Sequence, residues 1–143
     1  MTAHRLLRIT AFLQILTALI HASSYLAGFE VRNPTEAQLF ELMSTYQANM
    51  GGGFSPTYLN LFNALSACFS LLYLFAGLSN LYFLHKNRGA VILDGFVTIQ
   101  IIVLGFAFML MALFTFLPPI ILTGMVWVLL LMVKFSSKQS ASD

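Results

Sequence analysis

The sequence predicts an all-α membrane protein: a polytopic chain with four transmembrane helices in an up-down antiparallel bundle, plus one short amphipathic helix on the outer side. Three observations lead there. Of the 143 residues, 59% are hydrophobic and only 8% are charged, whereas a soluble domain carries about 25% charged residues. Seven Lys and Arg with five Asp and Glu cannot coat a water-facing surface, so a soluble globular enzyme is excluded as the default. The apolar residues gather in four stretches of about the 20 residues a helix needs to cross a bilayer. Because lipid cannot satisfy open backbone groups, these stretches must be helices, and the short connections make neighbours antiparallel.

In order, the spans run from Ile9 to Phe29, Tyr58 to Leu84, Ala90 to Leu117 and, shortest, Pro119 to Phe135. They form one membrane domain over residues 1–135, followed by a small polar tail, 136–143, expected to be disordered. Arg5 and Arg8 precede the first span, Lys86 and Arg88 join the second to the third, and Lys134 and Lys138 end the fourth. The other side has Arg32 together with Glu30, Glu36 and Glu41. The positive-inside rule therefore places both termini in the cytoplasm of a multi-pass cell (inner) membrane protein. A competing reading takes Arg5, Arg8, the apolar run to Ile20 and Ala22-Ser23-Ser24 as a cleaved secretory signal. Cleavage would leave three spans and turn the new amino end outward; retention is the expectation.

The outer loop, residues 30–57, carries its own signals. Asn33-Pro34-Thr35-Glu36 places a capping residue before Pro at the first helical position, with Glu three residues after the cap. An amphipathic helix over 34–50 follows, with Leu39, Leu42, Met43, Tyr46 and Met50 on one face. Gly51-Gly52-Gly53 ends it, and Ser55-Pro56 repeats the cap-plus-proline start for the second span. This helix reads as a lid or docking surface, or more simply as one that packs over the outer end or lies in the lipid interface. Pro118-Pro119 breaks the chain between the last two spans.

Polar residues inside the spans are the informative ones, since each is expensive unless it faces another helix or a cavity. Thr10, Gln14, Thr17, His21, Ser24 and Gly28 form one stripe; Asn63, Ser66, Ser70, Tyr73, Gly77 and Asn80 form a second. Depth along the helices separates an outer group of ligand-binding candidates, His21, Tyr25, Asn60, Asn63 and Ser66, from an inner polar cluster, Gln14, Asn80, Asp94 and Thr98. Thr98 and Gln100 lie less regularly on the third span, with Asp94 close enough to the basic turn to pair with Lys86 or Arg88. The simplest role for all of them is to join helices. The sharper one makes His21, with Tyr25 one turn away, a proton donor or acceptor or a ligand contact. No residue is assigned as catalytic outside that alternative.

Cys68 is alone, so neither a disulfide nor a cysteine-based zinc site can be assembled within the chain. His4 and His85 fall near one membrane face, which makes a bis-histidine haem a geometric option, yet no HxxxH or Cys/His cluster supports it. No cofactor and no metal are expected. The net charge of +2 without any basic run gives no reason to propose nucleic acid as a partner.

In layout, with His21 late in the first span and Gly51-Gly52-Gly53 before the second, the chain resembles small uncharacterised bacterial four-helix integral membrane proteins. That resemblance implies no activity. The lone cysteine is unlike the paired cysteines of vitamin K epoxide reductases, and Gln14 and His21 stand where small multidrug transporters carry a membrane-embedded glutamate. The expected role is non-enzymatic: binding partner helices or lipid as an accessory or assembly component of a membrane complex, with a homo-oligomer among the options. The alternative is a membrane-embedded enzyme or small-molecule or lipid carrier with an outer pocket around His21.

Overall fold

The computed structural model describes residues 2–27, 30–86 and 90–139, the side chains of 24–26, 90–93 and 138–139 excepted. Five helices make up its regular structure: α1 (Ala3–Leu26), α2 (Pro34–Thr45), α3 (Tyr58–His85), α4 (Ala90–Phe114) and α5 (Leu117–Gln139). Four of them, all but α2, are long and apolar enough to cross a membrane, which suggests a multi-pass membrane protein. No strand occurs among the described residues.

The helices outrun the apolar stretches at both chain ends. Helix α1 begins at Ala3 rather than Ile9, its first bonds running from the N–H groups of Arg5 and Leu6 to the Thr2 carbonyl. Helix α5 continues to Gln139, through Ser136 and Ser137 of the stretch expected to be a disordered tail; residues 140–143 lie outside the described residues. Hydropathy marks where a helix can meet lipid, whereas the backbone ladder continues until something interrupts it. The interruption between α4 and α5 falls at Thr115 and Phe116, ahead of the prolines. Pro118 and Pro119 occupy the first turn of α5, where the missing N–H groups would have had no intrahelical acceptor.

The chain forms two compact units, Met1–Thr17 with Tyr73–Asp143, and Ala18–Leu72. In the first, each helix turns one stripe inward at steps of three and four: Leu7, Ala11 and Gln14 on α1; Tyr73, Ala76 and Asn80 on α3; Val97, Gln100 and Leu104 on α4; Val126, Leu130 and Val133 on α5. Exposed positions are instead filled by large apolar groups such as Phe12, Phe75, Ile99, Phe106 and Leu113. The polarity is inverted relative to a water-soluble helix, with amides and hydroxyls inside and hydrocarbon outside.

Small residues allow close approach in this unit. A Cβ on Gly77 would stand 2.8 Å from both the Ala11 carbonyl oxygen and Ile15 Cγ1, so α1 and α3 touch there through backbone. On Gly105 it would stand 2.7 Å from the indole nitrogen of Trp127. That indole donates to the Ile101 carbonyl at 3.1 Å, and its ring stacks on Phe108 at 5.7 Å. Asp94 with Lys134, Ile101 with Trp127 and Phe108 with Gly124 give ascending positions on α4 against descending ones on α5, so these two helices run antiparallel.

In the second unit the outer loop is more ordered than its sequence suggests. Asn33 caps α2 as its signature predicts: Asn33 Oδ1 accepts from the Glu36 N–H at 2.9 Å, and Glu36 reaches back to accept from the Arg32 N–H at 2.7 Å. The helix ends at Thr45, short of the expected Met50, because Tyr46 turns extended. Residues 46–57 then form a narrow reversal. Gln47 and Thr57 make an antiparallel bridge, the Ala48 N–H donates to the Pro56 carbonyl at 2.9 Å, and the Met50 N–H donates to the Phe54 carbonyl at 3.1 Å. Gly51, Gly52 and Gly53 make the tip with φ of 81°, 62° and 83°, a run of left-handed backbone that side chains with a Cβ resist. Since the Pro56 carbonyl is engaged in the reversal, α3 takes its cap from Thr57, whose Oγ1 accepts from the Asn60 N–H at 3.2 Å, instead of from Ser55.

Gly77→Ala is expected to destabilise the folded protein. Relieving a helical glycine gains about 0.5–1 kcal/mol, but overpacking against a fixed carbonyl costs about 1–3 kcal/mol, and the second term wins. Gly95→Ala, whose Cβ would meet nothing within 4 Å, should be neutral or mildly stabilising. Unfolding in mixed detergent micelles, followed by Trp127 fluorescence, checks both.

Candidate functional site

Among the described residues three polar groupings occupy the long helices, and the most enclosed is made of amides. Gln14 and Asn80 are fully buried and Gln100 nearly so. Gln14 Nε2 donates to Gln100 Oε1 at 2.8 Å, Gln100 Nε2 to Asn80 Oδ1 at 2.9 Å, and Asn80 Nδ2 to Gln14 Oε1 at 2.9 Å. A fourth bond runs from Asn80 Nδ2 to Gln100 Oε1 at 3.1 Å. The result is a closed ring linking α1, α3 and α4. A primary amide suits such a ring because each one both donates and accepts. None of the three titrates, so the ring holds helices in register and has no acid–base chemistry of its own.

The second grouping joins α4 to α5. Lys134 Nζ lies 2.6 Å from Asp94 Oδ2 and 2.7 Å from Thr98 Oγ1, while Thr98 Oγ1 donates to the Asp94 carbonyl at 2.8 Å. The lysine side chain is 20% exposed and that of Asp94 43%, so water screens the pair and its contribution is roughly 0–1 kcal/mol.

The sequence-based inner cluster of Gln14, Asn80, Asp94 and Thr98 is thus divided between two groupings. Gln14 and Asn80 meet through Gln100, whereas Asp94 and Thr98 meet through Lys134 rather than pairing with Lys86; Arg88 lies outside the described residues. Both linking residues had a legible signal. Gln100 is the one primary amide of its span, as Gln14 is of the first, and Lys134 stands near the end of an antiparallel partner to the helix that starts beside Asp94.

The outer candidates are less closely joined. His21 is half-buried, with its imidazole edge-on to Phe69 at a centroid distance of 4.7 Å. Ser66 is buried and its carbonyl accepts from Ser70 Oγ at 3.2 Å, Asn63 is half-buried, and Asn60 is exposed. The side chain of Tyr25 lies outside the described residues, as does Gly28. His4 and His85, the haem option, are both exposed, as is Cys68. Among the described residues no group of three or more His, Cys, Asp or Glu is placed to hold a metal ion.

The hydroxyls behave differently from the amides. Thr10, Thr17, Ser70 and Thr123 donate to the carbonyls of Leu6, Leu13, Ser66 and Pro119, each four residues back on its own helix. Much of the polar striping is therefore satisfied within single helices.

Comparison with family models, with curated proteins and with solved structures finds no match for this chain.

Removing the ring's amides one at a time should cost more in sum than removing all three together. Asn80→Leu strands two amides and is expected to destabilise by about 1–3 kcal/mol. The triple variant Gln14→Met, Asn80→Leu, Gln100→Met leaves no stranded partner and should fall well short of the summed single effects. Unfolding titrations of the three singles and the triple measure that coupling. For the charged grouping, Lys134→Asp should be destabilising and partly rescued by Asp94→Lys in the same chain, read by the same titration.

Proposed function

We propose that this is a multi-pass protein of the cell (inner) membrane, four spans in an up-down antiparallel bundle with both termini cytoplasmic, that works without enzymatic chemistry. It binds partner helices or lipid as an accessory or assembly component of a membrane complex. The observation supporting this reading is where the polar groups point. The amides of Gln14, Asn80 and Gln100 are spent on one another, Lys134 on Asp94 and Thr98, and the Trp127 indole on a carbonyl. What the long helices present outward is hydrocarbon, such as Phe12, Leu65, Phe75 and Phe106.

Interior groups used in this way act as register-fixing joints, and an outer surface of this composition matches lipid tails or the apolar flank of another helix. The reading centred on His21 has less behind it, since the imidazole packs on Phe69 and Asn60 is exposed. The distribution of Lys and Arg supports the topology.

Extraction of the tagged full chain in mild detergent, followed by native mass spectrometry, should find it in a stoichiometric complex with a membrane protein, in a homo-oligomer, or with retained lipid. A lone monomer carrying nothing would overturn the accessory role. Reporter fusions should place both ends in the cytoplasm, and either end outside would overturn the topology.

A further inference from the structure

The outer loop has a feature that the four spans do not account for. Most of its large apolar side chains are exposed rather than buried among the helices. Leu39, Leu42 and Tyr46 recur along α2 and its cap, and Met50 and Phe54 flank the glycine tip; Phe54 is 74% exposed. Helix α2 buries none of its residues.

Two contacts fix where this segment lies. The Tyr46 ring stacks on that of Tyr58, 5.9 Å apart and 12° from parallel. Tyr58 is the first residue of the span formed by α3. The stack therefore holds the carboxyl end of α2 at the level where α3 enters the apolar layer. The Gln47–Thr57 bridge and the bond from the Ala48 N–H to the Pro56 carbonyl tether the reversal to the same point. Tyrosine pairs are at home at that level, with the ring in hydrocarbon and the hydroxyl wet.

From this juxtaposition we propose that α2 and the reversal, residues 34–57, form an interfacial module that seats Leu42, Tyr46, Met50 and Phe54 in the boundary between headgroups and acyl chains of the outer leaflet. The proposal rests on the membrane-spanning reading of the long helices. The partner is the lipid surface itself, and the recognition is by apolar burial rather than charge: residues 34–57 contain Glu36 and Glu41 and no Lys or Arg. Attraction to anionic headgroups is thus absent, and zwitterionic lipid should serve as well. Glu41, exposed and turned away from Leu42 and Tyr46 on α2, should remain in water. The glycine tip lets the chain reverse within the few residues available, so that the module returns to Tyr58 without leaving the interface.

Site-directed spin labelling tests this in the full chain, reconstituted in phosphatidylcholine vesicles, with Cys68→Ala as background. Nitroxides go at Phe54→Cys, Met50→Cys, Glu41→Cys and, as a reference on the exposed side of α3, Leu71→Cys. Only variants that keep the parent elution profile and unfolding midpoint are read, and positions 50 and 54 stand in for each other. The labels at 54 or 50 should be several-fold more accessible to oxygen, relative to a water-soluble nickel chelate, than the label at 41. Adding phosphatidylglycerol should not increase that ratio. A label at 54 or 50 as open to the chelate as that at 41 would overturn the proposal, and one closed to both reagents would mean that protein, not lipid, covers the module, which overturns it as well. If the label at 71 is itself open to the chelate, the membrane-spanning reading fails instead.

Discussion

A ring of three amides sets the terms for the rest of the structure. Within hydrocarbon, an amide without a partner costs several kcal/mol, whereas each bond it makes contributes only about 0.6 kcal/mol. Four bonds among Gln14, Asn80 and Gln100 therefore stabilise modestly when made and penalise heavily when broken. That asymmetry selects one relative placement of α1, α3 and α4 over the many that an apolar surface alone would allow. Leucine packing tolerates a slide along the helix axis; three mutually dependent amides do not.

Other features fit around that constraint. Gly77 gives α1 and α3 the backbone contact beside the ring, and Gly105 makes room for Trp127 where α5 lies along α4. Charge is kept to the margins: Lys134 meets Asp94 in a half-wet setting, where the cost of desolvation is small and the gain equally small. Among the described residues, the buried polar side chains are uncharged amides and hydroxyls.

How much of this could be read in advance depended on whether the signal was local. Four long helices and their all-α class follow from hydrocarbon content, and the start of α2 from Asn33, Pro34 and Glu36, because those properties are decided within a few residues. The early end of α2 at Thr45 was not legible: the apolar repeat through Tyr46 and Met50 fits a helix, but the backbone partners of Ala48 and Met50 come from Pro56 and Phe54 across a turn. Likewise, a polar stripe shows which face is inward but not which residues meet. Gln14 and Gln100 are 86 positions apart, and Thr10 and Thr17, identical in pattern to Gln14, proved to bond only to their own helix. Hydroxyls are short enough to reach back to a carbonyl; a glutamine amide in the same stripe reaches across.

That difference in reach has a consequence for how the chain is made. A span whose hydroxyls are already satisfied by its own backbone can enter the bilayer alone. Gln14 and Asn80 cannot complete their bonding until α4 has been synthesised and has delivered Gln100. Before then α1 and α3 hold an incomplete polar set, and a chain truncated ahead of α4 would lack the partner that Gln100 supplies to both. Such a state differs in its chemistry from the finished protein, in which all three amides are bonded to one another.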